Sequence, residues 1–179
     1  MARAGGRDRN VVPISPAFLE RIIHALATQE WATTVSSLPR FVVRDVGLLD
    51  STLAEPYQHV GGRALYPTVT SKAACLFRGL VKNHPLVDGN KRLAVTAMTV
   101  FLQVNGRRPT YTNRQLYGYA LRVARQAGNY PVSLIEAWLR RNSEHQPAPR
   151  LAEMIMDVFI LWQDSEWVAH VLGVQGSED

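Results

Sequence analysis

The chain has 179 residues, 46% of them hydrophobic and 20% charged, which suits one compact domain with a core of its own and an appendage. A net charge of +5 is compatible with phosphate-bearing ligands, nucleic acid or an acidic protein, but no cluster of aromatics interleaved with Lys and Arg marks a nucleic-acid groove, so nucleic acid is not an expected partner. The single cysteine, Cys75, excludes an internal disulfide and a CxxC zinc site and favours a reducing cytoplasm, while no uncharged apolar run reaches the roughly 18 residues of a membrane span.

Residues 1–12 read as a disordered basic arm, with no apolar run after it to make a secretory signal. Ser15-Pro16 offers an N-cap and a first-turn proline, and Phe18, Leu19, Ile22, Ile23 and Leu26 follow at helical spacing. Residues 31–50 are less regular, and Leu48 to Leu53 read as a short helix. Around Gly61-Gly62, aromatic and β-branched residues flank a plausible hairpin turn, although a plain loop fits the same letters.

From Thr70 to Val81 apolar positions recur with helical period, and Cys75 falls among them as a small core residue. A second apolar helix carries Leu93, Ala97, Val100, Phe101 and Val104 on one face and closes at Asn105-Gly106. Further helices are expected near 113–125 and 131–141, then a polar connection over 143–149. From 150 to 163, Leu151, Met154, Ile155, Val158, Phe159 and Trp162 form an amphipathic stripe. It can pack on its own core, or dock onto a partner or a second copy and so support a homo-oligomer. Its acidic polar side, with Glu153, Asp157 and Asp164, argues against a membrane surface.

Between the two central helices stands NHPLVDGNKRLAV, residues 83–95. Pro85 should end the first helix near Asn83. Asp88-Gly89 is a turn signal and Asn90 a good N-cap, which puts Lys91 and Arg92 in the first helical turn. That end already carries a partial positive charge, so two cations there cost roughly 0.3–1 kcal/mol each. An anion held by the free N–H groups and both cations would remove the repulsion. His84 can accept a proton at neutral pH, and Asp88 is a hard carboxylate of the kind Mg²⁺ takes alongside phosphate oxygens. Base, metal ligand and anion cradle together suit phosphoryl or nucleotidyl transfer, while each alone is equally consistent with a solvated loop.

HPLVDGNKR, His84 to Arg92, resembles the signature of the Fic/Doc family, HxFx(D/E)(G/A)N(G/K)R, and is most similar to its Doc branch of death-on-curing toxins. The resemblance extends through VRDVGLLDSTLAEP (43–56), YPTVTSKAACLFRGLVKNHP (66–85) and FLQVNG (101–106), and covers roughly residues 13–140. It implies a mainly α, compact Fic/Doc-type helical bundle with a small β-hairpin flap, here a catalytic domain over 13–142 followed by the 143–149 linker and a C-terminal helical extension over 150–179. By resemblance His84 is the general base, Asp88 holds Mg²⁺, and Gly89, Asn90, Lys91 and Arg92 bind the phosphates of a nucleoside triphosphate such as ATP. The segment 57–66, with Gly61, Gly62 and Arg63 at its tip, positions the target polypeptide.

The sequence departs from the family pattern in two places, and a third position bears on the reaction. Leu86 replaces the loop Phe. Val95 stands where AMP-transferring members carry a second Arg, as in Doc proteins. Gly89 matches the AMP-transferring members, where the Doc prototype has Ala. The resemblance therefore implies a toxin of a toxin–antitoxin pair that phosphorylates a translation factor, elongation factor Tu. Nucleotidyl transfer is the alternative, and a catalytically silent binding module acting through the tail helix a third reading. No self-inhibiting (S/T)xxxE(G/N) motif occurs, so a separate cognate antitoxin is the expected partner.

Overall fold

A computed structural model describes residues 11–27, 42–150, 153–155 and 157–158. Helix α1 spans Pro16–Ala27, α2 Val46–Ala54, α3 Val69–Asn83, α4 Asn90–Val104, α5 Asn113–Arg125 and α6 Val132–Arg141. Four short strands, β1 (His59–Val60), β2 (Arg63–Ala64), β3 (Arg107–Pro109) and β4 (Ser143–His145), make two separate antiparallel ribbons. The molecule is a helical bundle with a small hairpin, as the resemblance implies.

The centre is α3 packed along α4. Both are buried on nearly every side, and Phe77, Leu80, Ala97, Val100 and Leu102 are buried completely. α6 and α5 pack on α3, as does α2. Cys75 lies in this core, where burial pushes its thiol up to about 12 and keeps it from acting as a nucleophile at neutral pH. No helix among the described residues is long and apolar enough to cross a membrane.

Local chemistry fixes the helix starts. Ser15 Oγ accepts from Phe18 N–H at 3.2 Å, so the expected cap of α1 is present, with Leu19 and Ile22 buried beneath it. Asp45 caps α2 through Leu48 N–H at 2.9 Å. α3 opens with a reciprocal box: Thr68 Oγ1 accepts from Ser71 N–H at 3.0 Å, and Ser71 Oγ accepts from Thr68 N–H at 2.9 Å. Thr68 also donates to Glu136 Oε1 at 2.9 Å, which ties α6 to the head of α3.

The turn at Gly61-Gly62 is a hairpin. His59 pairs with Ala64 and Val60 with Arg63, and both glycines take positive φ (57° and 74°), the conformation a tight two-residue hairpin demands.

Two segments differ from expectation. Ser143–His145, the start of the expected linker, form β4 against β3, with Arg107 paired to His145 and Pro109 to Ser143. The polar composition concealed a ribbon built by a partner 36 residues away. Val12, assigned to the disordered arm, exchanges two hydrogen bonds with the Asn105 side chain, at 2.7 and 3.0 Å. Residues 1–10 lie outside the described residues. In the tail, 153–155 and 157–158 are helical, with Met154 and Val158 buried in the core and Asp157 accepting from Gln103 Nε2 at 2.5 Å. The described part of the stripe packs on its own domain; Leu151, Phe159 and Trp162 lie outside the described residues.

Replacing Thr68 by Ala removes the cap and a bond that crosses to α6. Thermal denaturation should show a loss of about 1–2 kcal/mol, a fall in Tm of about 3–6 °C, with Thr68→Ser close to the parent. An unchanged Tm in the alanine variant would show that the box contributes nothing.

Candidate active site

The six residues between α3 and α4 are held from two sides. α3 ends at Asn83, and His84 leaves the right-handed helical region, as a residue before proline should, but into the left-handed one (φ 50°, ψ 57°). It is the one non-glycine residue at positive φ among the described residues. That conformation costs of order 1–3 kcal/mol and persists only where the surroundings enforce it. Here the segment 42–45 does so. Pro85 C=O accepts from Arg44 N–H at 2.8 Å, Val87 N–H donates to Val42 C=O at 3.0 Å, and Val43 bridges Leu86. On the inner side Leu86 is 2% exposed and fills the place of the family Phe.

Asn90 is not the N-cap. Gly89 holds that place in the left-handed conformation (φ 78°), its C=O accepting the first intrahelical bond from Leu93 N–H at 2.8 Å. Asn90 is the first helical residue, and its buried amide faces backwards. Oδ1 accepts from Leu86 N–H at 2.8 Å and Nδ2 donates to Leu86 C=O at 2.9 Å. A side chain engaged with the loop behind it cannot also cap the turn ahead. Lys91 and Arg92 therefore sit one position deeper than expected, still within the first turn. The N–H groups of Asn90, Lys91 and Arg92 precede the first intrahelical bond.

The charges are arranged unequally. Arg92 is buried at 4% exposure, its Nη2 3.7 Å from Asp88 Oδ2. Asp88 is largely open to solvent and accepts Gly89 N–H on Oδ1 at 2.6 Å. Lys91 is half-buried. Around His84 stand three cations. Partial burial of the ring lowers its pKa below the usual 6.5, and the charges of Arg44, Lys91 and Lys82 lower it further. The neutral imidazole is the proton-accepting form, so a lowered pKa leaves His84 able to accept a proton at pH 7 and confines the loss of that ability to more acid pH. Lys82 is itself fixed by donating to Gln126 C=O at 2.6 Å and Ala124 C=O at 3.3 Å.

The residues fit a divalent cation shared with a ligand. No cluster of three or more His, Cys, Asp or Glu side chains exists among the described residues, so no protein-only cage is built. Asp88 offers one solvent-facing carboxylate beside an anion-attracting helix start, the donor set that suits Mg²⁺ completed by phosphate oxygens and water.

His84, Asp88, Gly89, Asn90, Lys91 and Arg92 thus share one loop and helix start. The hairpin residues Gly61, Gly62 and Arg63 stand apart and exposed. The hairpin is rooted where buried Lys72 donates to Pro56 C=O at 3.1 Å and Tyr66 C=O at 2.7 Å, with its ammonium over the Tyr57 ring. Lys72 lies twelve residues, about 18 Å along α3, from His84. Arg44, Lys72 and Lys82 were missed in the sequence. Asp45 before an apolar run signals a helix start, but nothing in the letters pairs the preceding residues with Leu86.

A helical bundle with this loop between its two central helices defines a class. The Fic/DOC family model matches residues 13–102, just over half of the chain, and the chain belongs to that family. A toxin Doc of Mycolicibacterium smegmatis is 52% identical over 64 residues, which are 36% of this chain and 49% of that relative. The chain thus spans about half the length of the curated relative it matches. No solved structure matches.

The lowered pKa is directly measurable. An NMR titration of His84, assigned by its loss in His84→Gln, should give a midpoint below 6.5. Arg44→Gln should move that midpoint upward, because one of the three cations is gone. A downward or absent movement would show that Arg44 does not act on the imidazole.

Proposed function

We propose that the protein is a Doc-like toxin that transfers the terminal phosphate of a nucleoside triphosphate, ATP in the first instance, to a Ser or Thr hydroxyl of a translation factor. The observation that supports this is a histidine of lowered pKa beside a helix start carrying Lys91 and Arg92, with the Asp88 carboxylate 3.7 Å from Arg92. By family resemblance the target is elongation factor Tu, and the cognate antitoxin of the pair neutralises the enzyme.

In this reading an imidazole nitrogen of His84 takes the hydroxyl proton. The freed oxygen forms a bond to the γ-phosphorus as the bond from phosphorus to the β,γ-bridging oxygen breaks, and the nucleoside diphosphate departs with that electron pair. Lys91 and the N–H groups at the start of α4 hold the phosphates and oppose the negative charge. Arg92, buried and paired with Asp88, fixes the carboxylate from beneath. Mg²⁺ held at Asp88 supplies further neutralisation of the triphosphate. The hairpin tip at Gly61, Gly62 and Arg63 presents backbone to align an extended target segment.

Nucleotidyl transfer is the second reading, favoured by Gly89. Against it, the position of the second family Arg is Val95, fully buried among core residues and unable to reach a ligand.

Incubation with the purified translation factor, Mg²⁺ and ATP labelled at the γ or α position separates the two readings. γ-label and about 80 Da added to the target support phosphoryl transfer, while α-label and about 329 Da support AMP transfer. His84→Ala should lower either rate by at least about 10²-fold. Unlabelled target with intact ATP, or full activity in the alanine variant, defeats the enzymatic reading.

A further inference from the structure

A one-sided charge distribution marks α5 and α6. Residues 113–141, which hold α5 and α6, contain five arginines, no lysine, no aspartate and one glutamate. Arg114, Arg122, Arg125, Arg140 and Arg141 are all exposed, and none makes an ion pair among the described residues. Glu136 makes no ion pair with them; its carboxylate accepts from Thr68 and Thr70 at the head of α3.

The arginines frame a groove. Arg114, Gly118, Arg122 and Arg125 follow one another at i, i+4, i+8 and i+11 along a single face of α5. An open groove of about 450 Å³ runs beside them, lined by Arg114, Gln115, Gly118, Tyr119, Arg122 and Trp138. Arg141 reaches the same place from α6, since its charge and that of Arg122 both act on Tyr119. One turn before Trp138, Leu134 is 53% exposed. The groove thus has an aromatic floor and a cationic rim, and Leu134 stands exposed one helical turn from Trp138. Its α5 end lies beside the catalytic loop, because Lys82, two residues before His84, donates to the backbone carbonyls of Ala124 and Gln126.

We infer that this groove is a docking surface for an acidic segment of a protein partner, with carboxylates along the α5 arginines and an apolar side chain on Leu134 and Tyr119. Complementary charge selects a protein of the opposite sign and steers its approach. Single-stranded nucleic acid fits less well. Its bases need free aromatic faces, and the Trp138 ring is already stacked on Tyr119 (centroids 4.4 Å, 7° between planes) and Tyr111 (5.2 Å, 22°). The inference does not rest on the catalytic reading, and its test measures binding alone.

The probe is a fluorescein-labelled peptide of four Glu-Leu-Ala-Glu repeats, titrated with the full chain at low and physiological salt. Controls are its Gln-for-Glu counterpart, and a single-stranded RNA and a duplex DNA of matched charge. The acidic peptide should bind, more weakly as salt rises, and the Gln peptide should not. The triple variant Arg114→Ala, Arg122→Ala, Arg141→Ala should lose about tenfold in affinity, while Arg114→Lys, Arg122→Lys, Arg141→Lys keeps most of it and Arg21→Ala, on α1, changes nothing. A bimane placed at Gly118→Cys, where an added Cβ meets nothing, reports occupancy directly, since Cys75 is buried. Absence of peptide binding, equal binding by the alanine triple variant, an unresponsive bimane, or preferential binding of either oligonucleotide overturns the inference.

Discussion

Two hydrogen bonds from one side-chain amide hold the loop between α3 and α4 together. Asn90 both accepts from Leu86 N–H and donates to Leu86 C=O, so it acts on the loop as a neighbouring strand would. Only a residue with a donor and an acceptor on a short stem can do this. Aspartate lacks the donor, serine the reach for both, and glutamine adds a methylene that pushes the amide past the target. With both of its backbone groups satisfied, Leu86 can be driven into the core without an orphaned polar atom, which would cost roughly 1–3 kcal/mol. His84 and Asp88 then stand on opposite shoulders of a turn whose middle is anchored, and the strain at His84 is borne by this anchor and the Val43 bridge together.

The same turn concentrates positive charge. The start of α4, Lys91, Arg92, Arg44 and Lys82 all raise the local potential, and Asp88 alone opposes them within the loop. The Arg92–Asp88 pair is long at 3.7 Å and open to solvent on the Asp88 side, so it is worth at most about 1 kcal/mol. Each cation at a helix N-terminus costs a comparable amount, so the fold gains little from the arrangement. A phosphate group changes that balance. It also sets a conflict, since a bound anion offsets the cations that depress the His84 pKa. The conflict is limited because the first cause of the depression is partial burial of the ring. Burial does not depend on whether the anion is present, and an acceptor chain covering the loop would deepen it. In the proposed reaction His84 can therefore stay neutral with the anion bound.

What the sequence disclosed was local. The periods of α3 and α4, the Ser15-Pro16 start, the Gly61-Gly62 turn and the Asn105-Gly106 stop each depend on residues within a few positions of one another, and each stands where the letters put it. The loop residues were legible for the same reason, and the family signature assigned them roles. What stayed hidden was non-local. Leu86 is bridged by residues more than 40 positions earlier, β3 is paired by β4, and Lys72 closes the hairpin through two carbonyls that no side-chain pattern reports. Asn90 shows a subtler limit. Asparagine is favoured as a cap and equally capable of gripping a preceding turn, and only the left-handed Gly89 decides which.

The two halves of the chain divide the work differently. The family match ends at residue 102, within α4, and so contains the loop, the hairpin and Lys72. Both functional parts hang from α3, one at its C-terminal end and one from an ammonium group buried near its start. A buried ammonium is tolerable only with its acceptors in place, so Lys72 ties the hairpin roots to the helix as firmly as Leu86 ties the loop to the core. The arginine groove belongs to α5 and α6, beyond the matched region. These helices must present one face to α3, which constrains Leu116, Ala120, Val123, Ile135 and Leu139, but their outer faces carry no such demand. Reaction chemistry needs a fixed constellation, whereas partner choice needs only a complementary surface on a rigid support. The outer face that carries five arginines, none of them in an ion pair among the described residues, is therefore free to vary for partner choice in the proposed docking role without disturbing the loop between α3 and α4.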